Sequence, residues 1–149
     1  MDINIIRISA TDTYPVRHAE LRKGRPFNSC AFEGDQLESS VHIGAYAQDK
    51  LVGVASYMAV PFSGAPDVAA MQLRGMAVLS SYHRQGIGAK MLAFGEQMLL
   101  KQEVLILWMN ARINALDFYN KLGYSISGDV FNIPEVGAHY KMFKRLSHS

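Results

Sequence analysis

The stretch from Met71 to Met109 constrains the fold more than any other part of the chain. "MQLRGMAVL" alternates, with Met71, Leu73, Ala77 and Leu79 on one side and Gln72, Arg74, Met76 and Val78 on the other. A two-residue period is the mark of a strand. "YHRQGIGAKM" then sets two glycines one residue apart. Ile87, Met91, Phe94 and Met98 follow at spacings of 4, 3 and 4, which is helical. "VLILWM", Val104 to Met109, is a continuous apolar run, as expected of a strand buried on both faces. Strand, helix and buried strand in succession predict a parallel, right-handed crossover. Gly75 interrupts the first strand, where a glycine marks a bulge or a close backbone approach.

Around this unit the pattern is simpler. "INIIRIS" reads as a strand, and "TDTYPVRHAELRK" as a helix capped by Thr11 or Asp12 with Val16, Ala19 and Leu21 on its apolar side. Residues 23–40 show neither period and form a long loop with room for a short helix. "VHIGAYAQDKLVGVASYMAV" reads as two strands around a tight turn at Gln48 to Lys50. Ala115, Phe118, Tyr119 and Leu122 make a second helical stripe, which Gly123 ends as a C-cap, and two strands close the chain. The predicted order is β-α-loop-β-β-β-α-β-α-β-β. That is an α/β chain of the mixed α+β kind, a mixed sheet with helices on both faces.

With 149 residues, 49% of them hydrophobic, the chain is the size of one domain spanning 1–149 and has apolar material for a core. The net charge of +2, without runs of like charge, forecasts neither nucleic acid nor a membrane surface. One cysteine, Cys30, allows no internal disulfide, no signal peptide is expected at the amino terminus, and no stretch approaches a membrane span. A cytoplasmic protein is expected.

The glycine loop fits neither common nucleotide motif. "GIGAKM" lacks the spacing and hydroxyl of a Walker loop, and Met91 stands where a dinucleotide fingerprint needs its third glycine. What remains is a glycine turn at a helix amino terminus, where backbone N–H groups and the dipole converge on one spot. That is either a phosphate cradle or an ordinary strand-to-helix turn.

In its context, "LRGMAVLSSYHRQGIGAKML" resembles motif A of the GNAT superfamily of N-acetyltransferases, Gln/Arg-x-x-Gly-x-Gly/Ala, with Gly86 and Gly88 matching and His83 departing at the first position. "NARINALDFYNKLGY" resembles the family's motif B through Ala115, Phe118, Tyr119, Lys121, Gly123 and Tyr124. Arg112 stands where an asparagine is frequent, and Asn110 takes part of its work. The resemblance covers residues 40 to 146. It implies the GNAT fold, with a central, mostly antiparallel sheet of about seven strands and a V-shaped splay between strands 4 and 5. It also implies acetyl-CoA as co-substrate, with no metal.

The implied reaction moves an acetyl group to a primary amine by direct attack on the thioester, and Tyr119 becomes the catalytic acid for the leaving thiolate. Coenzyme A contacts are implied for Met76, Ala77 and Val78 on strand 4, and for the backbone of Arg84, Gln85, Gly86, Ile87, Gly88 and Ala89. Lys90, Asn110, Ala115, Phe118 and Lys121 complete that set. The oxyanion donor would be a backbone N–H near Val78. For the general base the residues leave His42, Tyr57, Glu33, Asp35, Glu38, Arg74, His139 or a water chain open. A small-molecule amine is the expected acceptor and a homodimer is possible. The alternative is a catalytically weak acyl-CoA-binding or regulatory domain.

Overall fold

The computed structural model describes residues 2–147. Among these, seven strands form one sheet in the order β1-β2-β3-β4-β5-β7-β6. The strands are β1 (Ile3–Ile8), β2 (Val41–Ala47), β3 (Lys50–Met58), β4 (Ala70–Val78), β5 (Ile106–Arg112), β6 (Ser125–Ile133) and β7 (Gly137–Arg145); the helices are α1 (Tyr14–Glu20), α2 (Ile87–Lys101) and α3 (Leu116–Lys121). β4 and β5 pair in parallel, as the crossover requires, while β1–β2, β2–β3, β5–β7 and β6–β7 are antiparallel. The predicted element order and the mixed sheet are both present. The position of β7 between β5 and β6 is not legible in the local pattern.

The chain forms two compact units. The first holds the described residues up to Ala59 together with Leu73–Met98; the second holds Val60–Gln72 and the described residues from Leu99 onward.

In the first unit, β3 is buried without a break from Val52 to Met58 because both of its faces are covered. On one face Val16 of α1 packs with Val54 and Ala77. On the other, α2 comes so close that a Cβ on Gly53 would stand 3.0 Å from Met91. Gly95, in the middle of α2, lies against the buried ring of Tyr57, and a Cβ there would meet the phenol oxygen at 2.0 Å. The buried stripe of α2 therefore runs through Ile87, Met91, Leu92, Gly95 and Leu99, while Phe94, predicted to face inward, is 38% exposed. A glycine contributes nothing to apolar periodicity, so the contact surface was displaced from the one the pattern marks. We expect Gly95→Ala to destabilise the protein by about 1–3 kcal/mol, although alanine is the better helix former. Thermal unfolding should show the loss, and a Tyr57→Leu background should relieve it.

Two details of the first helix differ from expectation. Its chain entry is closed by Ser9 rather than by Thr11 or Asp12 alone. The Asp12 N–H donates to Ser9 Oγ and the Ser9 N–H to the Asp12 carboxylate, both at 3.2 Å, a reciprocal capping pair ahead of a short 3-10 turn. Ala19 is exposed, and the residue buried beside Val16 is Arg17.

In the second unit, Ala70–Gln72 pair with Ile106–Trp108. The ladder ends there, although β4 runs on to Val78 and β5 to Arg112. β5 is buried from Ile106 to Met109, whereas Leu105, expected inside it, is 49% exposed and precedes the strand with Val104. Ile106 and Trp108 share one face with Phe143 of β7, and the segment after β3 covers them. Phe62 stacks on Phe143 at 4.8 Å, and the Trp108 indole N–H donates to the Val60 carbonyl at 2.9 Å. Across the strand, Leu107 pairs with Lys144, whose ammonium donates to the Leu122 carbonyl at the end of α3. α3 stops as its glycine predicts. The Gly123 N–H returns to Asn120 and the Tyr124 N–H to Tyr119, the paired bonds of a Schellman cap, with the Tyr119 and Tyr124 rings in edge contact.

Candidate functional site

The glycine loop leaves β4 through a short 3-10 turn, Ser80–Tyr82. Ser80 is anchored by its N–H and hydroxyl to the Glu20 carboxylate. His83 Nε2–H donates to the Val78 carbonyl at 2.6 Å. The side chain at the irregular motif position therefore ties the turn back to its own strand. Arg84 and Gly86 both take positive φ, 64° and 77°, and no heavy atom lies within 4 Å of where a Gly86 Cβ would be. Gly86 then accepts the first helical bond, from Lys90 N–H. The N–H groups of Ile87, Gly88 and Ala89 thus have no acceptor within the helix. They open where Arg84, Gln85 and Gly86 are exposed, while the Ile87 side chain is buried and locks the first turn. Lys90 is exposed one turn later. A 15-residue helix with free donors at a bare glycine has the geometry and the dipole that suit an anion.

Upstream, Met76 and Val78 are half-buried and Ala77 is buried, as the alternation predicts. Gly75 takes a φ of 61°, and a Cβ there would be 2.7 Å from the Phe32 ring. This is the close approach expected of a glycine within a strand.

The motif B residues lie in the second unit. Tyr119 is 8% exposed, between Phe118 and Tyr124 in edge-to-face contacts at 5.1 and 5.9 Å. Its hydroxyl makes no hydrogen bond with the described residues. Burial pushes its pKa up to about 12. Phe118 and Lys121 are exposed on α3, Ala115 is half-buried in the turn before it, and Asn110 is exposed on β5 opposite Lys141 of β7. Arg112, at the departing motif position, is exposed at the end of β5.

The residues considered as bases are scattered. Glu33 and Glu38 are exposed in the loop, and Arg74 is half-buried with its guanidinium 5.1 Å from the Phe32 ring. His139 is buried on β7, with Nδ1–H donating to the Gly137 carbonyl. Tyr57 is fully buried, its hydroxyl 3.4 Å from the Met91 carbonyl. Asp35 and His42 belong to a buried network that sequence reasoning missed. Arg17, fully buried, donates to both Asp35 oxygens at 2.7 and 3.0 Å, to the Cys30 carbonyl at 2.8 Å and to Ser56 Oγ at 2.9 Å. His42 meets Ser56 Oγ with Nδ1 at 2.6 Å and the Asp35 carbonyl with Nε2 at 2.9 Å. Burial alone would raise the Asp35 pKa. The Arg17 hydrogen bonds, the Phe32 N–H and the Arg17 charge outweigh it and hold the carboxyl below its ordinary range. Asp35 is thus a strut rather than part of an open acidic loop. An arginine beside helical valine and histidine gives no sequence signal of this, because its partner lies 18 residues away.

Among the described residues, no group of three or more His, Cys, Asp or Glu side chains is arranged to hold a metal ion. No described helix is long and apolar enough to cross a membrane.

The acetyltransferase (GNAT) family model matches residues 4–124. The chain is 33% identical over 147 residues, 99% of both chains, to the uncharacterized N-acetyltransferase YitI of Bacillus subtilis. Its fold superposes with a TM-score of 0.78 on an aminoglycoside 6'-N-acetyltransferase complexed with coenzyme A (16% identity, 98% of each chain). The same score is reached with the ribosomal-protein-S18-alanine N-acetyltransferase from Escherichia coli (20% identity, 99% of this chain and 96% of that one). At those identities the last two likenesses concern the fold. The motif at the start of α2, the parallel β4–β5 pair and the match along most of the sequence converge on one conclusion: the chain belongs to the GNAT acetyltransferase family.

Proposed function

We propose that the protein transfers the acetyl group of acetyl-CoA, the co-substrate of its family, to a primary amine by direct attack on the thioester. The observation that carries this reading is the start of α2, where the N–H groups of Ile87, Gly88 and Ala89 have no helical acceptor and open space lies beside the exposed Gly86. Such a site suits the pyrophosphate of coenzyme A. Arg84 in the loop and Lys90 on the first turn of α2, both exposed, are assigned to assist it, Lys121 is assigned by the family resemblance, and Met76 to Val78 offer strand-like pairing to the pantetheine arm. Asn110, Ala115 and Phe118 are assigned to the same ligand.

In the reaction the neutral amine adds its lone pair to the carbonyl carbon. The carbonyl oxygen takes up negative charge, best met by a fixed backbone N–H near Val78. As the C–S bond breaks, its electron pair goes to sulfur and a proton must follow. Tyr119 supplies that proton in this reading: its hydroxyl is uncommitted and its raised pKa keeps it protonated throughout the neutral range. The proton lost by nitrogen leaves through a base or a water chain.

A thiol-release assay with acetyl-CoA against a broad amine library tests the proposal. Stabilisation by acetyl-CoA with no amine acetylated would make the protein an acyl-CoA-binding domain instead. Gly86→Asp probes the cradle. Aspartate tolerates positive φ and suits a helix start, so the fold should hold, while the KM for acetyl-CoA rises about tenfold or more through repulsion of the phosphates. An unchanged KM would remove the pyrophosphate from this loop.

A further inference from the structure

The second unit carries an open pocket of about 390 Å³ that no residue discussed above explains except Asn110. It lies on the Trp108 face of the sheet. Asn110 follows Trp108 on that face of β5, and Lys141 of β7 and Ser127 of β6 stand opposite in register. α3 is anchored to the other face through Lys144. Ser63, beyond the Phe62 cover, forms one wall and Phe131 another.

The pocket is built with two poles of opposite charge. Lys141 is half-buried on β7, a strand flanked on both sides, with its ammonium 5.1 Å from the centre of the Trp108 ring. It donates to Ser63 Oγ at 3.0 Å. An ammonium has three protons to donate, so one hydroxyl partner leaves donor capacity facing the pocket. At the other pole, the β6–β7 pairing slips between Ser127 and Phe131. This bulge carries Asp129 to the pocket wall beside Gly128, whose φ is 83°. Asp129 has no hydrogen-bond or ion-pair partner among the described residues. A half-buried cation and an unengaged carboxylate in one small concavity suit a ligand that carries both charges. The volume lies at the lower end of small-molecule sites.

Resting on the acetyltransferase reading above, we infer that this pocket is the acceptor site and that its preferred acceptor is a small primary amine bearing an acidic group. Lys141 takes the carboxylate or phosphate, and Asp129 accepts hydrogen bonds from the amine end. A neutral or purely cationic amine leaves Lys141 unmatched and binds less well.

Trp108 is the only tryptophan of the chain and sits under Lys141, so its fluorescence reads the pocket without any need for turnover. The probes are the common α-amino acids against their carboxamides, and O-phosphoethanolamine against ethanolamine, each titrated into the protein with coenzyme A present. At least one acidic amine is expected to saturate the signal and to bind ten- to a hundredfold more tightly than its match without the acidic group, by roughly the worth of a charged hydrogen bond. The amino-acid and phosphate arms tell the two acidic groups apart. Lys141→Gln should abolish the preference at unchanged melting temperature and unchanged acetyl-CoA KM, and Lys141→Arg should retain it. Equal binding of acid and amide, an intact preference in Lys141→Gln, or no saturation by any acidic probe would overturn the inference. Saturable binding of an acidic amine that is never acetylated, while another amine releases thiol from acetyl-CoA, would overturn the inference and leave the transferase reading standing; no thiol release with any amine would sink the transferase reading itself.

Discussion

Replacing Tyr119 with phenylalanine is expected to lower kcat about 10²- to 10⁴-fold, the range for removal of a positioned proton donor, with the KM for acetyl-CoA little changed. The substitution is a clean one. The hydroxyl bonds to none of the described residues, and the ring's contacts with Phe118 and Tyr124 survive in phenylalanine. Unfolding should therefore be unaltered, and any loss of turnover belongs to the missing proton. With its pKa raised to about 12 by burial, Tyr119 stays protonated from acid pH to well above neutrality. Its ionisation should consequently produce no alkaline fall in kcat below that value, and an alkaline limb nearer neutrality would report another group. Turnover within threefold of the parent at saturating acetyl-CoA would end the assignment of Tyr119 as the acid.

The largest loss of stability is expected from Arg17→Met, about 3–5 kcal/mol. The variant removes four hydrogen bonds and leaves the Asp35 carboxylate buried without its partner. At about 2–4 °C per kcal/mol for a chain of this size, the melting temperature should fall by roughly 10 °C. A double variant, Arg17→Met with Asp35→Leu, should recover most of the loss, because the cost lies in the orphaned charge rather than in the absence of the pair. A single variant that costs less than about 1 kcal/mol would show that water reaches Asp35 after all. The acid response follows from the same geometry. The Asp35 pKa is lower in the folded protein than in the unfolded chain, so the unfolded chain binds the proton first. The pair's contribution is complete above the ordinary aspartate pKa of about 3.9 and is lost as the pH falls through the folded value. Arg17→Met should flatten that acid limb of the stability curve.

Much of the fold was legible because its signals are local. Alternation from Met71 to Leu79, the helical spacing from Ile87 and the apolar run ending at Met109 each arise from side chains within one element. The crossover rule then makes β4 and β5 parallel. The boundaries that failed were those where burial depends on a neighbour. Leu105 is as apolar as Leu107, yet it lies before the strand begins and stays exposed, while Leu107 is fully buried within it. Phe94 yields the inner face of α2 to Gly95 because Tyr57 fills that position from β3. For the candidate site, the glycine motif marked the start of α2 correctly, and the helix-ending glycine placed Tyr119 on the last turns of α3.

The sequence by itself determined the family, the order of elements and the loop at which an anion can meet a helix start, since these rest on spacing along the chain. Only the tertiary structure decided what the charged and polar residues do. Arg17 lies 18 positions from Asp35 and 39 from Ser56, and Lys141 lies 78 from Ser63. A strut and a two-poled pocket are made by pairs of this kind, which no local period reports. The physical reason is that a hydrophobic face needs only burial, which a periodic pattern announces, whereas a buried charge needs one particular partner at hydrogen-bond distance. That partner is chosen by strand register and loop path, so Asp35 reads as a surface acid until Arg17 is found beside it.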